Sequence, residues 1–317
     1  MTTLPRLPLA LALAATLAAC GDDGDGTPSA GTPTQDIVEL AQGNPDLSIL
    51  VEAVTAADLG ATLSGPGPFT VFAPTDQAFA GLLGELGVSK EELLADTELL
   101  TAVLQYHVLG AEVPSSAVPL GKAIEPLGGG FFKIDETDAG LVITDGRNRT
   151  SSVVAADVAA TNGVVHVIDA VILPADETVV ETAIARPEFS ILVEAVQAAG
   201  LVDALSAEGP FTVFAPTNDA FAALLTELGV TKEQLLADTE LLTAVLGYHV
   251  IGGRVLKADV VPGPQPATLQ GESFSIGADL VVTDARSRTA AITAADVLAS
   301  NGVIHVIDRV ILPAPAP

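Results

Sequence analysis

The sequence predicts an α+β protein made of two similar domains, and three observations carry that reading. The first is internal repetition. FTVFAPTDQAF at residues 69–79 returns as FTVFAPTNDAF at 211–221, and ELLADTELLTAVLQYHV at 92–108 returns as QLLADTELLTAVLGYHV at 234–250, both displaced by 142 residues. The second is order: in each copy, apolar residues at helical spacing come first and short β-rich runs follow, so the two kinds of element are segregated rather than alternating. The third is size. The chain has 317 residues, a length that suits two domains, and a repeat of roughly 140 residues is far longer than a solenoid unit and can hold a core of its own.

Along the chain, residues 1–19 read as a signal peptide. Met1 to Arg6 carries one positive charge, and the apolar run Leu7 to Ala19 is shorter than the roughly 20 residues of a membrane-spanning helix. The run ends in Leu17-Ala18-Ala19-Cys20, which resembles the lipobox of bacterial lipoproteins. The resemblance implies cleavage before Cys20 and acylation of its thiol, and Cys20 is the only cysteine in the chain. Gly21, rather than an aspartate, follows it, which leans toward the outer membrane. Residues 20–35 are then the lipidated cysteine and a disordered tether rich in Gly, Pro, Thr and Asp. The tether's aspartates lack the ligand spacing and closing glutamate of an EF-hand.

The first domain is expected over 36–174 and the second over 175–317, with the short join LPADET (173–178) restricting their relative motion. In the first copy, DIVELAQ and LSILVEAVTAADL place Leu47, Leu50, Val51 and Val54 on one helical stripe. GPGP at 65–68 breaks the pattern. Residues 69–74 then alternate as a strand with alternate residues buried, Pro74 stops it, and Thr75 caps a helix. Ser89 and Glu92 have capping-box spacing, repeated by Thr231 and Gln234, and a helix follows through Leu99, Leu100, Val103 and Leu104. FFKID, LVITD, SSVVAAD and GVVHVID are strands. From ITDGRNRT (143–150) and VTDARSRT (282–289) onward the displacement is 139, so the second copy lacks three residues. The loss falls between DETDAG (135–140) and GAD (277–279), a hairpin tip where length changes cost little.

FTVFAPTDQAF, the Tyr106-His107 pair and NGVVHVIDAVILP, in that order and in both copies, resemble the fasciclin domain. The resemblance implies a β-wedge or sandwich of about seven strands with several packed helices, and an exported protein of adhesion or partner-protein binding. In animal members a tyrosine-histidine stretch is linked to receptor binding. Carried over, Tyr106, His107, Tyr248 and His249 are candidate contact or contact-shaping residues.

Thirteen basic residues against 40 acidic ones give a net charge of -27, a surface that repels nucleic acid and anionic membranes and favours cationic partners. The four histidines, His107, His166, His249 and His305, fall in two equivalent pairs. Paired histidines beside Asp169 or Asp308 suggest a metal or acid-base site. Their aliphatic neighbours point instead to buried, hydrogen-bonded groups. No nucleophile elbow, phosphate loop or zinc-binding helix motif is present, so neither catalysis nor a cofactor is expected. The function expected is a lipid-anchored protein of the bacterial envelope, periplasmic or surface-exposed. It would mediate adhesion through envelope, matrix or cell-surface proteins or glycans. The alternatives are a periplasmic small-ligand carrier or weak enzyme using the paired histidines, and a structural envelope spacer.

Overall fold

The computed structural model describes residues 32–315. The expected signal peptide, Cys20 and most of the tether lie outside the described residues. Each domain opens with helices. In the first, α1 (Ile37–Gly43) starts from a reciprocal cap between Asp36 and Glu39, and α2 (Ser48–Ala56) and α3 (Gly60–Leu63) follow. β1 (Phe69–Pro74) leads into α4 (Asp76–Leu86), α5 (Lys90–Ala95) and α6 (Thr97–Tyr106). Thr75 caps α4 by accepting from the Ala78 amide, and Ser89 with Glu92 forms the capping box of α5, as the spacing predicts. The buried stripe of α6 runs through Leu100, Val103 and Leu104, whereas Leu99 is 40% exposed, so the helix is turned slightly from the expected face.

The strands follow: β2 (Val108–Leu109), β3 (Ala123–Ile124), β4 (Phe132–Thr137), β5 (Gly140–Thr144), β6 (Thr150–Ala160) and β7 (Gly163–Ile168). They form one sheet of seven with order β2-β1-β7-β6-β5-β4-β3, in which only β1 and β7 run parallel. The sheet turns along β6. This strand pairs with β5 through Thr150–Ser152 and with β7 through Val153–Ala160, and its register shifts twice between Val153 and Val158. Asp157 sits at the second shift with φ 59. Bulges bend a strand and increase its twist, so the two halves of the sheet face each other and form the wedge that the resemblance implied.

Two cores result. Phe72, Tyr106, Phe132, Ile134, Ile143 and Ile168 fill the inside of the wedge. Val71, Ala73 and Val165 take the helices on the outer face. β1 therefore lies between two packed layers and is buried on both faces from Thr70 to Pro74, which corrects the expectation of one buried face. A strand buried on both sides reads as a near-continuous apolar run, and FTVFAP is one.

The second domain repeats the plan with α7 (Val179–Ile184), α8 (Ser190–Ala198), α9 (Val202–Ser206), β8 (Phe211–Pro216), α10 (Asn218–Leu228), α11 (Lys232–Ala237) and α12 (Thr239–Tyr248). Then come β9 (Val250–Gly252), β10 (Gly263–Pro264), β11 (Ser275–Ile276), β12 (Val281–Thr283), β13 (Thr289–Ala299) and β14 (Gly302–Ile307). The sheet order is equivalent, β10-β11-β12-β13-β14-β8-β9. The three missing residues do fall at the hairpin tip, leaving β11 and β12 shorter than β4 and β5.

Asn162 and Gly163 hold helices to sheet. The Asn162 amide accepts from the Ile37 N–H at 3.1 Å and donates to the carbonyls of Leu63 and Gly65 at 2.8 and 3.0 Å. Asn301 makes the same bonds to Val179, Leu205 and Ala207. Gly163 has φ 153, and a Cβ there would fall on the Phe69 carbonyl oxygen. The Asn-Gly pair in NGVVHVID thus serves the scaffold.

Candidate functional site

Tyr106 ends α6 and is fully buried. Its hydroxyl donates to the Phe131 carbonyl and accepts from the Gly146 N–H at 3.1 Å, tying α6 to the β3–β4 and β5–β6 connections. Burial pushes its pKa well above the usual tyrosine range. Tyr248 repeats the arrangement with Ser273 and Ala285, and burial pushes it up to about 12.

His107 follows as the C-cap of α6. Its Nδ1 lies 2.7 Å from the Val103 carbonyl, and its Nε2 accepts from the Ile172 N–H at 3.1 Å. The first partner can only accept and the second can only donate, so the ring is neutral with its proton on Nδ1. Desolvation lowers its pKa to about 4. His249 has the same partners in Val245 and Ile311, and burial lowers it to about 4 as well. The four tyrosine and histidine side chains named as contact candidates are buried, so they do not reach the protein surface. Each pair forms a hydrogen-bonded corner between helix and strand.

His166 and His305 lie in β7 and β14 and use the opposite tautomer. Nε2 donates to Val113 or Val255 at 2.9 and 2.8 Å, and Nδ1 accepts from the N–H of Asp157 or Asp296 at 3.2 and 3.3 Å. Burial lowers the His305 pKa. An apolar cavity beside α1 and α2 is lined by His107 but not by His166, and its counterpart in the second domain by His249 but not by His305. The structure therefore does not gather the paired histidines around one pocket. Backbone groups occupy both nitrogens of each ring, leaving no free lone pair for a metal or a substrate proton. Among the described residues, no group of three His, Cys, Asp or Glu side chains could hold a metal ion.

The residues that sequence reasoning missed lie between the domains. Lys133 on β4, only 13% exposed, reaches Asp296 on β13 at 3.0 Å, and the Asp296 side chain is 3% exposed. Asn148, in the β5–β6 turn at φ 62, donates to the Leu298 carbonyl at 2.9 Å and accepts from its N–H at 2.6 Å. The Arg254 guanidinium lies 3.8 Å from the Phe131 ring centroid and also meets Glu125. Phe131, Leu256, Leu298 and Val303 form a small shared core. The edge of the first sheet is thereby seated on the β13–β14 face of the second domain. Asn148 thus clamps this contact through its side-chain amide.

The contact runs head to tail, so among the described residues one of each pair of equivalent surfaces takes no part in it. In β13, Asp296 through Ala299 are buried, whereas in β6 residues 154–159 are all exposed. Val154 is 58% and Val158 36% exposed. Asp157, the counterpart of Asp296, accepts from the hydroxyl and the N–H of Ser115, which hold its carboxyl below the usual range and keep it ionised.

The fasciclin domain model matches residues 45–174 and 187–313, most of the chain and both structural units. The protein belongs to the fasciclin family. Rabbit (Oryctolagus cuniculus) transforming growth factor-beta-induced protein ig-h3 is 33% identical over 256 residues, covering 79% of this chain and 35% of that protein. The chain thus spans about a third of that relative's length. Protein sll1483 of Synechocystis is 51% identical over 139 residues, which is 43% of this chain and 73% of that one. A solved FAS1 domain pair from the insect cell adhesion molecule fasciclin I is 20% identical, with TM-score 0.43 over 86% of this chain and 98% of its own. Among the described residues of this fasciclin pair, no helix is long and apolar enough to cross a membrane.

Proposed function

We propose that this tandem fasciclin protein is a lipid-anchored module of the bacterial envelope that binds other proteins, or glycans, in adhesion, without chemistry of its own. The observation that carries the reading is the unequal use of two equivalent faces. In the second domain, the face around Asp296 holds a sheet edge with a lysine and an asparagine clamp. In the first domain the equivalent strand, Val154–Ala159, is bare, with an ionised Asp157 among small apolar residues. A partner for that face brings a sheet edge with a basic side chain, which also suits the net charge of -27. Family membership supports adhesion as the setting, Leu17-Ala18-Ala19-Cys20 supports acylation of Cys20, and Gly21 after it supports an outer-membrane position. Tyr106, His107, Tyr248 and His249 contribute by fixing the shape of each domain.

Purified protein lacking residues 1–19 is to be tested against cells, matrix proteins and a glycan panel, with Asp157→Lys as the paired variant. Binding weakened at least about tenfold by the charge reversal supports the reading. Binding to nothing, or binding indifferent to the variant, contradicts it. Incorporation of labelled palmitate, lost in Cys20→Ala, tests the anchor separately. The paired-histidine reading is not favoured, because each ring is saturated by backbone groups.

A further inference from the structure

Each domain contains an apolar cavity between its first helices and the outer face of β1 or β8, and the residues lining one are the positional counterparts of those lining the other. The volumes differ: about 120 Å³ in the first domain and about 60 Å³ in the second. The linings differ at four positions, Ile37/Val179, Gln42/Ile184, Thr55/Gln197 and Gly60/Val202, and the last places a side chain where the first domain has none. Gly60 lines the first cavity and Val202 stands in its place in the second. A Cβ added at Gly60 would meet nothing within 4 Å, so that wall of the first cavity is open.

Leu50, Val54, Leu63, Val71 and Leu104 supply an apolar wall in the first domain. The single histidine there has both nitrogens engaged with Val103 and Ile172, so it offers no anchor to a water molecule. A water needs two to four polar partners, and an apolar cavity of about 150 Å³ is known to stay dry and take up benzene. An unfilled cavity of this kind forfeits dispersion contacts that an apolar guest restores. Gln42 and Thr55, both exposed, are the polar residues of the rim.

We propose that the first domain's cavity is a binding site for a compact, uncharged apolar group of about six carbons, and that Val202 closes the equivalent site in the second domain. The group belongs either to a free small molecule or to the end of a short aliphatic chain whose polar head leaves past Gln42 and Thr55. The site is independent of the adhesion surface, because the exposed β6 residues do not line it.

The test is titration of the protein with benzene, and in parallel with 1-octanol, followed by amide chemical shifts and by thermal melting. Saturable shifts at Leu50, Val54 and Leu63 and a raised melting temperature are expected for the wild-type chain. Gly60→Val should weaken binding at least about tenfold while keeping a cooperative melt. If that variant does not fold, Gly60→Ala is read in its place, with a smaller loss in the same direction. Response to benzene alone identifies an enclosed small molecule as the guest, and response to octanol an aliphatic end. Saturation by neither probe overturns the proposal, as does a folded Gly60→Val chain that binds as tightly as wild type.

Discussion

Tyr106 and His107 show how two adjacent residues lock a corner. The tyrosine hydroxyl serves a carbonyl 25 residues away and an amide 40 residues away, and the histidine bridges α6 to the segment after β7. Tyr106→Phe leaves two buried backbone groups unmet and should cost about 1–3 kcal/mol in urea denaturation without changing the far-UV spectrum. The histidines set a pH dependence. Above the ordinary histidine range both states are neutral and there is no effect. As pH falls from 6.5 toward 4, the unfolded chain gains protons that folded His107 and His249 refuse, so stability falls. By pH 5 the loss should be about 2 kcal/mol for each of these two histidines, and replacing both by Gln should reduce the slope between pH 7 and 5, leaving the share of buried His305. That the histidines are buried was legible from their aliphatic neighbours. The tyrosine's partners were not, because they come from connections whose proximity only the folded sheet creates.

At the scale of elements, the local signals served well. Capping boxes, the Pro74 stop and the hairpin deletion are encoded within a few residues, and the structure carries each of them. The bend in β6 was not legible, since its cause is a positive φ at Asp157 and a register shift against a strand that follows it. Nor was the role of Asn162, a turn residue by composition that in fact joins α1, α3 and the β6–β7 hairpin. Asn162→Ala removes three side-chain bonds and leaves the Ile37 N–H without its partner. It should cost about 2–4 kcal/mol and speed hydrogen exchange in α1 before the central strands.

At the scale of the whole molecule, repetition and fold class were legible, while the domain contact was not. Repetition implies equivalent surfaces, yet the contact uses residues that differ between copies. Phe131, Lys133 and Asn148 correspond to Ser273, Ser275 and Ser287. Those serines leave the second domain's edge without the cation, ring and amide that seat the first. Lys133→Ala takes the counter-charge from the buried Asp296 carboxylate, which keeps only the Lys257 N–H as a partner, a change worth about 3 kcal/mol. Calorimetry should then resolve two transitions where the wild type shows stronger coupling, with the second domain melting earlier. The bare β6 face bears on function most directly. A photo-crosslinking residue at position 158, in cells, should yield a discrete adduct that disappears with Asp157→Lys and does not form from position 261, an exposed apolar site off that face. No adduct at 158, or the same adduct from 261, would contradict the claim that this face is where the protein meets its partner.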